Sequence, residues 1–227
     1  KSRQVKMKAA AYIFDMDGVL TSSSRQHFVA WKQMAYDEFN KYISDDVEDM
    51  VRGVSRMDSL DIVLKNIGVE NQVSDLKKKE LATAKNNIYI SLISQFDESN
   101  LYRGTVELFE RLKNEGVLIA LGSASKNSAM LLEKMKIEKY FDYAVDPADI
   151  PAGRGKPQPD IFLKAAEGLK IDPAFCVGVE DAYSGVTAIK KAGMTAIGIG
   201  YPAYLNHADI VYREIGDINI VQVDKLL

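Results

Sequence analysis

Cysteine, long apolar runs and surplus charge are all scarce in this sequence. Cys176 is the single cysteine among 227 residues, so a framework of disulfides within the chain is impossible. No apolar run approaches the length that crosses a membrane. The net charge of −3 leaves no basic surplus for binding nucleic acid or an anionic membrane surface. We therefore expect a cytoplasmic protein that has neither nucleic acid nor a membrane as its partner.

The residues that are present give an ordinary globular balance, with 47% apolar and 27% charged. This length suits one sizeable domain, or a core with a smaller second domain. The basic opening at residues 1–8 lacks the apolar core of a signal peptide. Met7 would serve as a native start, so we assign no function to residues 1–6. Cys176 lies in an apolar run, which favours a small core residue over a nucleophile.

The stretch that organises the chain is Asp15-Met16-Asp17-Gly18, which follows the apolar run of residues 9–14. Such a run is typical of a strand buried on both faces of a parallel sheet. Ligands of open α/β sheets bind beyond the carboxyl ends of the strands, where these two carboxylates lie. Gly18 would let the chain turn at once and aim Asp15 and Asp17 in different directions. The alternative is a solvated turn rich in Asp and Gly.

Helical spacing dominates the next part of the chain. Apolar residues recur at helical intervals from Phe28 to Phe39 and from Leu81 to Leu92, and Ser74 is placed to begin the second helix. From residue 100 onward, helical and strand patterns alternate, which indicates a parallel sheet covered by helices. We predict a doubly wound α/β, Rossmann-like core of residues 1–21 and 97–227. A helical cap of residues 22–96 is inserted into it.

Polar residues follow three further predicted strands. They are the serine loop Ser123–Asn127, then Lys156 ahead of a proline-rich helix start, and then Glu180-Asp181. Each has an ordinary alternative, namely a helix cap, a solvated charge and the start of a helix. Four carboxylates that converge at one sheet edge would repel one another without a cation. Oxygen ligands of this kind predict Mg²⁺, which retains waters and a substrate phosphate.

In this order, the motifs resemble the haloacid-dehalogenase (HAD) superfamily of phosphotransferases. That superfamily carries D-x-D-G-x, a Ser or Thr after a strand, a Lys and then paired acids. The similarity to the β-phosphoglucomutase family extends over nearly the whole chain and includes the core segments Ser123-Ala124-Ser125-Lys126-Asn127 and Gly178-Val179-Glu180-Asp181. Three cap segments narrow the interpretation to that family. They are His27-Phe28-Val29-Ala30-Trp31-Lys32, Arg52-Gly53-Val54-Ser55-Arg56 and Lys85-Asn86.

The resemblance implies roles for the acidic residues. Asp15 would be the nucleophile that becomes an aspartyl phosphate. Asp17 would be the general acid and base for the sugar oxygens. Mg²⁺ would be held by Asp15, the backbone carbonyl of Asp17 and Asp181, with Glu180 nearby.

The resemblance also implies how the substrate is held. Ser123 and Lys156 would bind the transferring phosphate, and His27 would orient Asp17. The remaining substrate residues fall into two groups: Arg56, Ser125, Lys126 and Asn127 at the distal phosphate, and Ser23, Trp31 and Lys85 near the sugar and the hinge. Without the resemblance, a ring packed at the edge of the core is the favoured interpretation of His27; with it, His27 would orient Asp17 or sense the substrate.

The function implied is the interconversion of β-glucose 1-phosphate and glucose 6-phosphate, with glucose 1,6-bisphosphate as the intermediate. We expect sugar phosphates as the only partners of a monomer. The alternative is a Mg²⁺-dependent sugar-phosphate phosphatase, in which water attacks the phosphoenzyme. Three departures from the family pattern stand out: Thr21-Ser22-Ser23 replaces Thr-Asp-Thr, Arg52 replaces Lys, and the segment 151–155 before Lys156 is longer.

Overall fold

A central parallel sheet organises the computed structural model, which describes residues 6–227. The first five residues of the predicted core lie outside the described part. The strands are β1 Ala11–Phe14, β2 Leu118–Leu121, β3 Tyr143–Ala144, β4 Cys176–Glu180, β5 Thr195–Ile199 and β6 Ile210–Tyr212. The helices are α1 Ser23–Phe39, α2 Val47–Val51, α3 Arg56–Asn66, α4 Asp75–Ile93, α5 Thr105–Asn114, α6 Ser128–Lys134, α7 Asp160–Leu169, α8 Tyr183–Lys191 and α9 Ile220–Asp224.

The strand order is β3-β2-β1-β4-β5-β6, and every pairing is parallel. The β1 strand lies at the centre, where Phe14 pairs with Leu121 on one side and with Val179 on the other. Three strands therefore end at the same level, and the polar residues that follow them are brought to one edge. The predicted doubly wound parallel sheet is confirmed.

Both faces of β1 are buried, which explains its uninterrupted apolar sequence. Tyr12 and Phe14 belong to one hydrophobic cluster, whereas Ala11 and Ile13 belong to the cluster on the opposite face. Alternate residues of a strand point to opposite faces, so a strand covered by helices on both sides needs apolar residues at every position. Asp15 is the first polar residue after this apolar strand.

The helices α1 to α4 lie between β1 and α5 in sequence and enclose a third cluster of their own. This cluster includes Phe28, Trp31, Met34, Leu60, Leu64 and Leu81. Ser74 caps α4 by accepting a hydrogen bond from the N–H of Lys77 at 3.1 Å. We propose that residues 22–96 form a separate cap. This name is used for them below, and the remainder is called the core.

Two elements near the end of the chain, β6 and α9, were not predicted from the sequence. The β6 strand has three half-buried residues and α9 has five residues. Segments of three and five residues are too short to show the two-residue period of a strand or the 3.6-residue period of a helix. Among the described residues, no helix combines the length and the apolar character that spanning a membrane requires.

Candidate active site

The Asp-x-Asp-Gly stretch turns sharply after β1. The backbone N–H of Asp15 donates to the carbonyl of Val179 at 3.1 Å, which holds Asp15 against β4. Gly18 has a φ of +80°, and a Cβ built there would lie 2.0 Å from Asp181 Oδ2. Glycine is therefore required for both the backbone conformation and the space. As a result, Asp15 points toward Lys156 whereas Asp17 points toward the cap.

Lys156 lies at the centre of the site with its side chain fully buried. Its ammonium donates to Asp15 Oδ1 at 3.2 Å, to the Gly122 carbonyl at 2.9 Å and to Glu180 Oε1 at 2.6 Å. Burial lowers the pKa of Lys156, but Asp15 and Glu180 more than offset this and raise it above its ordinary value. The ammonium is therefore charged at neutral pH. The longer segment 151–155 does not displace it from the site.

Three carboxylates lie together at the strand ends, with ligand oxygens of Asp15, Glu180 and Asp181 all within 4.8 Å of one another. Glu180 is fully engaged, because Oε1 binds Lys156 while Oε2 accepts from the backbone N–H groups of Asp181 and Ala182. In contrast, Asp181 Oδ1 is buried and has no hydrogen-bond partner among the described residues. Burial and the neighbouring Glu180 carboxylate raise the pKa of Asp15 and of Asp181 well above the usual range.

A divalent cation fits this arrangement. An unpartnered buried carboxylate oxygen, with two further carboxylates nearby, is costly without a counter-charge. Oxygen ligands suit Mg²⁺, and Asp15 and Asp181 are the side chains that could hold it, since Glu180 is committed to Lys156. The expectation that four carboxylates converge is wrong for Asp17. The turn at Gly18 directs its carboxylate away from the cluster, which leaves only its backbone as a candidate ligand.

Asp17 is held by residues at the start of the cap. Ser23 Oγ donates to Asp17 Oδ1, and His27 Nε2 lies 3.5 Å from the same oxygen. Burial raises the pKa of Asp17, but His27 and the Ser23 hydroxyl outweigh burial, so the pKa falls below its usual value. Asp17 is therefore a carboxylate at neutral pH and can accept a proton.

His27 forms part of this site and is not an isolated ring at the core edge. Its Nδ1 lies 2.7 Å from Lys85 Nζ, and its ring stacks on Tyr89 with a centroid separation of 3.8 Å. While Lys85 is protonated its ammonium can only donate, so in that state Nδ1 accepts and the proton of neutral His27 is on Nε2, facing Asp17. Burial lowers the pKa of His27, and it lowers the pKa of Lys85 to about 7. Trp31 lies beneath Lys85, with Nζ 4.8 Å from the ring centroid.

Residues from the core and from the cap line one narrow cavity of about 60 Å³. The predicted site residues that line it are Asp15, Asp17, Ser125, Lys126 and Asn127 of the core and His27, Trp31, Arg56 and Lys85 of the cap. The groups assigned to the distal phosphate thus share a cavity with the two aspartates. Ser123 is buried, and its Oγ accepts from Ser125 N–H at 3.1 Å and from Ser128 Oγ at 2.6 Å.

Two cap residues without a role in the sequence analysis touch this site. Asn86 Oδ1 accepts from Arg56 Nη2 at 3.1 Å and from Asn127 Nδ2 at 2.8 Å. Arg52 Nε lies 3.7 Å from Asp181 Oδ2. Both residues belong to segments that resemble the family, Arg52-Gly53-Val54-Ser55-Arg56 and Lys85-Asn86, and membership of those segments was their only signal in the sequence.

The fold and this site define a member of the haloacid dehalogenase-like hydrolase family. The model of that family matches residues 9–193, and the chain belongs to it. The chain is 39% identical over 210 residues to "Beta-phosphoglucomutase" of Bacillus subtilis, covering 92% of each chain. A solved "beta-Phosphoglucomutase (pgmB)" from Clostridium difficile superposes with a TM-score of 0.91 at 33% identity, covering 96% of this chain and 97% of that one.

A phosphatase is also among the relatives. "Phosphorylated carbohydrates phosphatase" of Thermotoga maritima is 29% identical over 219 residues, covering 96% of each chain. The resemblance to the HAD superfamily is confirmed, as is the similarity to β-phosphoglucomutases.

Proposed function

We propose that this chain is a Mg²⁺-dependent mutase that interconverts β-glucose 1-phosphate and glucose 6-phosphate through glucose 1,6-bisphosphate. The observation that carries the proposal is a single cavity that Asp15 and Asp17 share with a second set of phosphate-binding groups. A mutase must hold a bisphosphate and present each phosphate in turn to one nucleophile. The 39% identity to a β-phosphoglucomutase over 92% of this chain supports the same conclusion.

The first half of the cycle starts from Asp15 carrying a phosphoryl group. The 6-hydroxyl of β-glucose 1-phosphate attacks phosphorus, its proton passes to the Asp17 carboxylate, and the bond to Asp15 breaks. The products are glucose 1,6-bisphosphate, free Asp15 and protonated Asp17. Because the pKa of Asp17 is lowered in the structure, Asp17 is in the form that this half requires.

The second half uses the same groups in reverse. The bisphosphate turns so that its 1-phosphate faces Asp15, which attacks phosphorus and regains a phosphoryl group. The departing C1 oxygen takes the proton from Asp17, which releases glucose 6-phosphate and completes the balance. His27 Nε2, 3.5 Å from Asp17 Oδ1, would keep the Asp17 carboxylate aimed at the sugar oxygens.

Charge neutralisation makes this attack by a carboxylate possible. When bound, Mg²⁺ would supply positive charge to the transferring phosphoryl oxygens and to Asp15, and Asp15 and Asp181 would hold it. Lys156 adds a buried ammonium 3.2 Å from Asp15. At the other end, Arg56 and Asn127 supply donors to the distal phosphate, and the planar guanidinium suits a two-pronged contact.

The second candidate is a sugar-phosphate phosphatase, which the 29% identity to the Thermotoga maritima phosphatase favours. The two activities share the nucleophile and differ in whether water or a sugar hydroxyl takes the phosphoryl group. A cap that closes over Asp15 excludes water and favours the sugar. We therefore place the mutase first.

The test is an assay with β-glucose 1-phosphate and Mg²⁺, with and without a trace of glucose 1,6-bisphosphate, following both glucose 6-phosphate and free phosphate. We expect glucose 6-phosphate to accumulate, faster with the bisphosphate, with little free phosphate. Release of phosphate in step with substrate loss would establish the phosphatase. The monomeric state and the cytoplasmic location stay predictions, which light scattering and cell fractionation would test.

A further inference from the structure

Asn86 joins the cap to the core through one oxygen. It lies on α4 of the cap, and its side-chain carbonyl accepts from Arg56 Nη2 at 3.1 Å and from Asn127 Nδ2 at 2.8 Å. Arg56 begins α3 of the cap, whereas Asn127 directly precedes α6 of the core. Both donors belong to the set that we assign to the distal phosphate.

We propose that Asn86 Oδ1 is a stand-in for a phosphate oxygen. In the protein without substrate, it occupies the acceptor position between Arg56 and Asn127 that an oxygen of the distal phosphate takes on binding. Asn86 is thus a positioning residue that keeps the distal phosphate site assembled across the boundary between cap and core. The inference rests on the proposed function and extends it to the state before binding.

The neutrality of Asn86 is central to this role. Burial lowers the pKa of the Arg56 guanidinium, and among residues 6–227 no carboxylate oxygen lies within 4.0 Å of its nitrogens. Its positive charge is therefore retained for an incoming anion. An amide carbonyl satisfies the donors without neutralising the charge, so a phosphate oxygen displaces it by making stronger, charge-assisted hydrogen bonds.

The same hydrogen bonds favour a closed cap in the absence of substrate. The bond from Asn127 to Asn86 crosses from core to cap, and Asn127 is buried. Without Asn86, two donors would face each other across the boundary with no shared acceptor, and closure would lose this support. A ligand that replaces Asn86 at the same position then converts a weak closure into a strong one.

Two substitutions separate a stand-in from a structural support. Asn86→Ala removes the acceptor, so the unliganded cap should open more often. Asn86→Asp places a carboxylate beside Arg56, so the unliganded cap should be at least as closed as in the parent. However, the carboxylate competes with phosphate and repels it, and we expect binding about tenfold weaker or more. If Asn86 were only a structural support, each substitution would weaken cap closure and phosphate binding together.

The experiment measures amide hydrogen exchange of residues 123–127 without ligand, and titrates inorganic phosphate and glucose 6-phosphate calorimetrically. Asn87→Ala is the matched control, because Asn87 is the next residue of α4 and its side chain is exposed. We expect faster exchange in Asn86→Ala, exchange no faster than the parent in Asn86→Asp, weakened titrations in Asn86→Asp, and no change in the control.

Unchanged exchange in Asn86→Ala, or parent-like affinity for both anions in Asn86→Asp, would overturn the inference. Failure of the proposed function gives a different result, since the parent and the Asn87→Ala control would then both release free phosphate from β-glucose 1-phosphate, whereas failure of this inference changes only the comparison of the two Asn86 variants with the parent.

Discussion

Removing the charge of Asp181 should stabilise the protein in the absence of metal. Asp181 lies in a cluster with Asp15 and Glu180, and its Oδ1 has no hydrogen-bond partner among the described residues. Asp181→Asn keeps the shape of the side chain and removes the negative charge. The cluster would then keep two carboxylates, both of which contact Lys156.

The size of the effect follows from the distances. The carboxylate oxygens lie within 4.8 Å of one another, and at that upper limit two like charges repel by about 3.5 kcal/mol at an effective dielectric constant of about 20. Lys156 compensates for part of the negative charge of Asp15 and Glu180, and Arg52, 3.7 Å from Asp181 Oδ2, offsets part of the remainder. We expect the free energy of unfolding to rise by roughly 1–3 kcal/mol, which for a chain of this size is about 2–4 °C in Tm per kcal/mol.

The assay is thermal unfolding at pH 7.5 with EDTA and then with Mg²⁺. The parent should gain stability from Mg²⁺, by about 2.7 kcal/mol at 100 times the dissociation constant, whereas Asp181→Asn should gain little. Asp45→Asn is the control, because the Asp45 side chain is 94% exposed. A variant that is less stable than the parent in EDTA, or that retains the full response to Mg²⁺, would refute the reasoning.

The stability that Asp181→Asn gains in EDTA should depend on pH with a definite sign. The pKa of Asp15 and of Asp181 is raised in the folded protein, so the metal-free folded state binds more protons than the unfolded chain. Its stability therefore falls as the pH rises above the ordinary carboxyl pKa. The advantage of Asp181→Asn in EDTA should accordingly be present at neutral pH and shrink as the solution is acidified.

Three further variants test the other groups of the site. Asp17→Asn should lose about 10²–10⁴-fold in turnover yet keep its Mg²⁺ affinity, because its carboxylate faces His27; a calorimetric titration showing that metal binding is lost would contradict this. Arg56→Ala should bind glucose 6-phosphate more weakly by about 1.5–3 kcal/mol but hydrolyse a small acyl phosphate like the parent. Arg103→Ala is the control, because the Arg103 side chain is 88% exposed; equal loss in both assays for Arg56→Ala, or a similar loss in the control, would rule this out. The parent should gain stability in urea unfolding as the pH rises from about 7 toward 10.5, because the pKa of Lys85 is lowered to about 7 in the fold. Lys85→Met should flatten this rise. An unaltered slope of stability against pH would disprove the lowered pKa of Lys85.

The sheet and its strand ends could be predicted because each depends on local sequence. A strand covered on both faces must be apolar throughout, so residues 9–14 indicated β1, and the first carboxylate after them marked its end. The parallel arrangement then required the residues after β2 and β4 to lie beside Asp15. The structure has this arrangement, with Lys156 in contact with both Asp15 and Glu180.

The contacts between cap and core could not be predicted in the same way. The direction of the Asp17 carboxylate depends on how α1 places Ser23 and His27 over it. The hydrogen bonds of Asn86 join residues 30 and 41 positions away in the chain. No periodicity or spacing records such contacts, because they arise only when two separately packed units meet.

The central claim is that Asp15 carries a phosphoryl group and returns it to a sugar. The most direct measurement mixes the enzyme with glucose 1,6-bisphosphate bearing radioactive phosphorus, stops the reaction rapidly and locates the label by peptide mass spectrometry. A chase of unlabelled glucose 6-phosphate then follows where the label goes. We predict label on Asp15, transfer of that label back to sugar bisphosphate during the chase, and no labelling of Asp15→Asn. Label on another residue, or its release as free phosphate at a rate that the chase does not alter, would contradict the account.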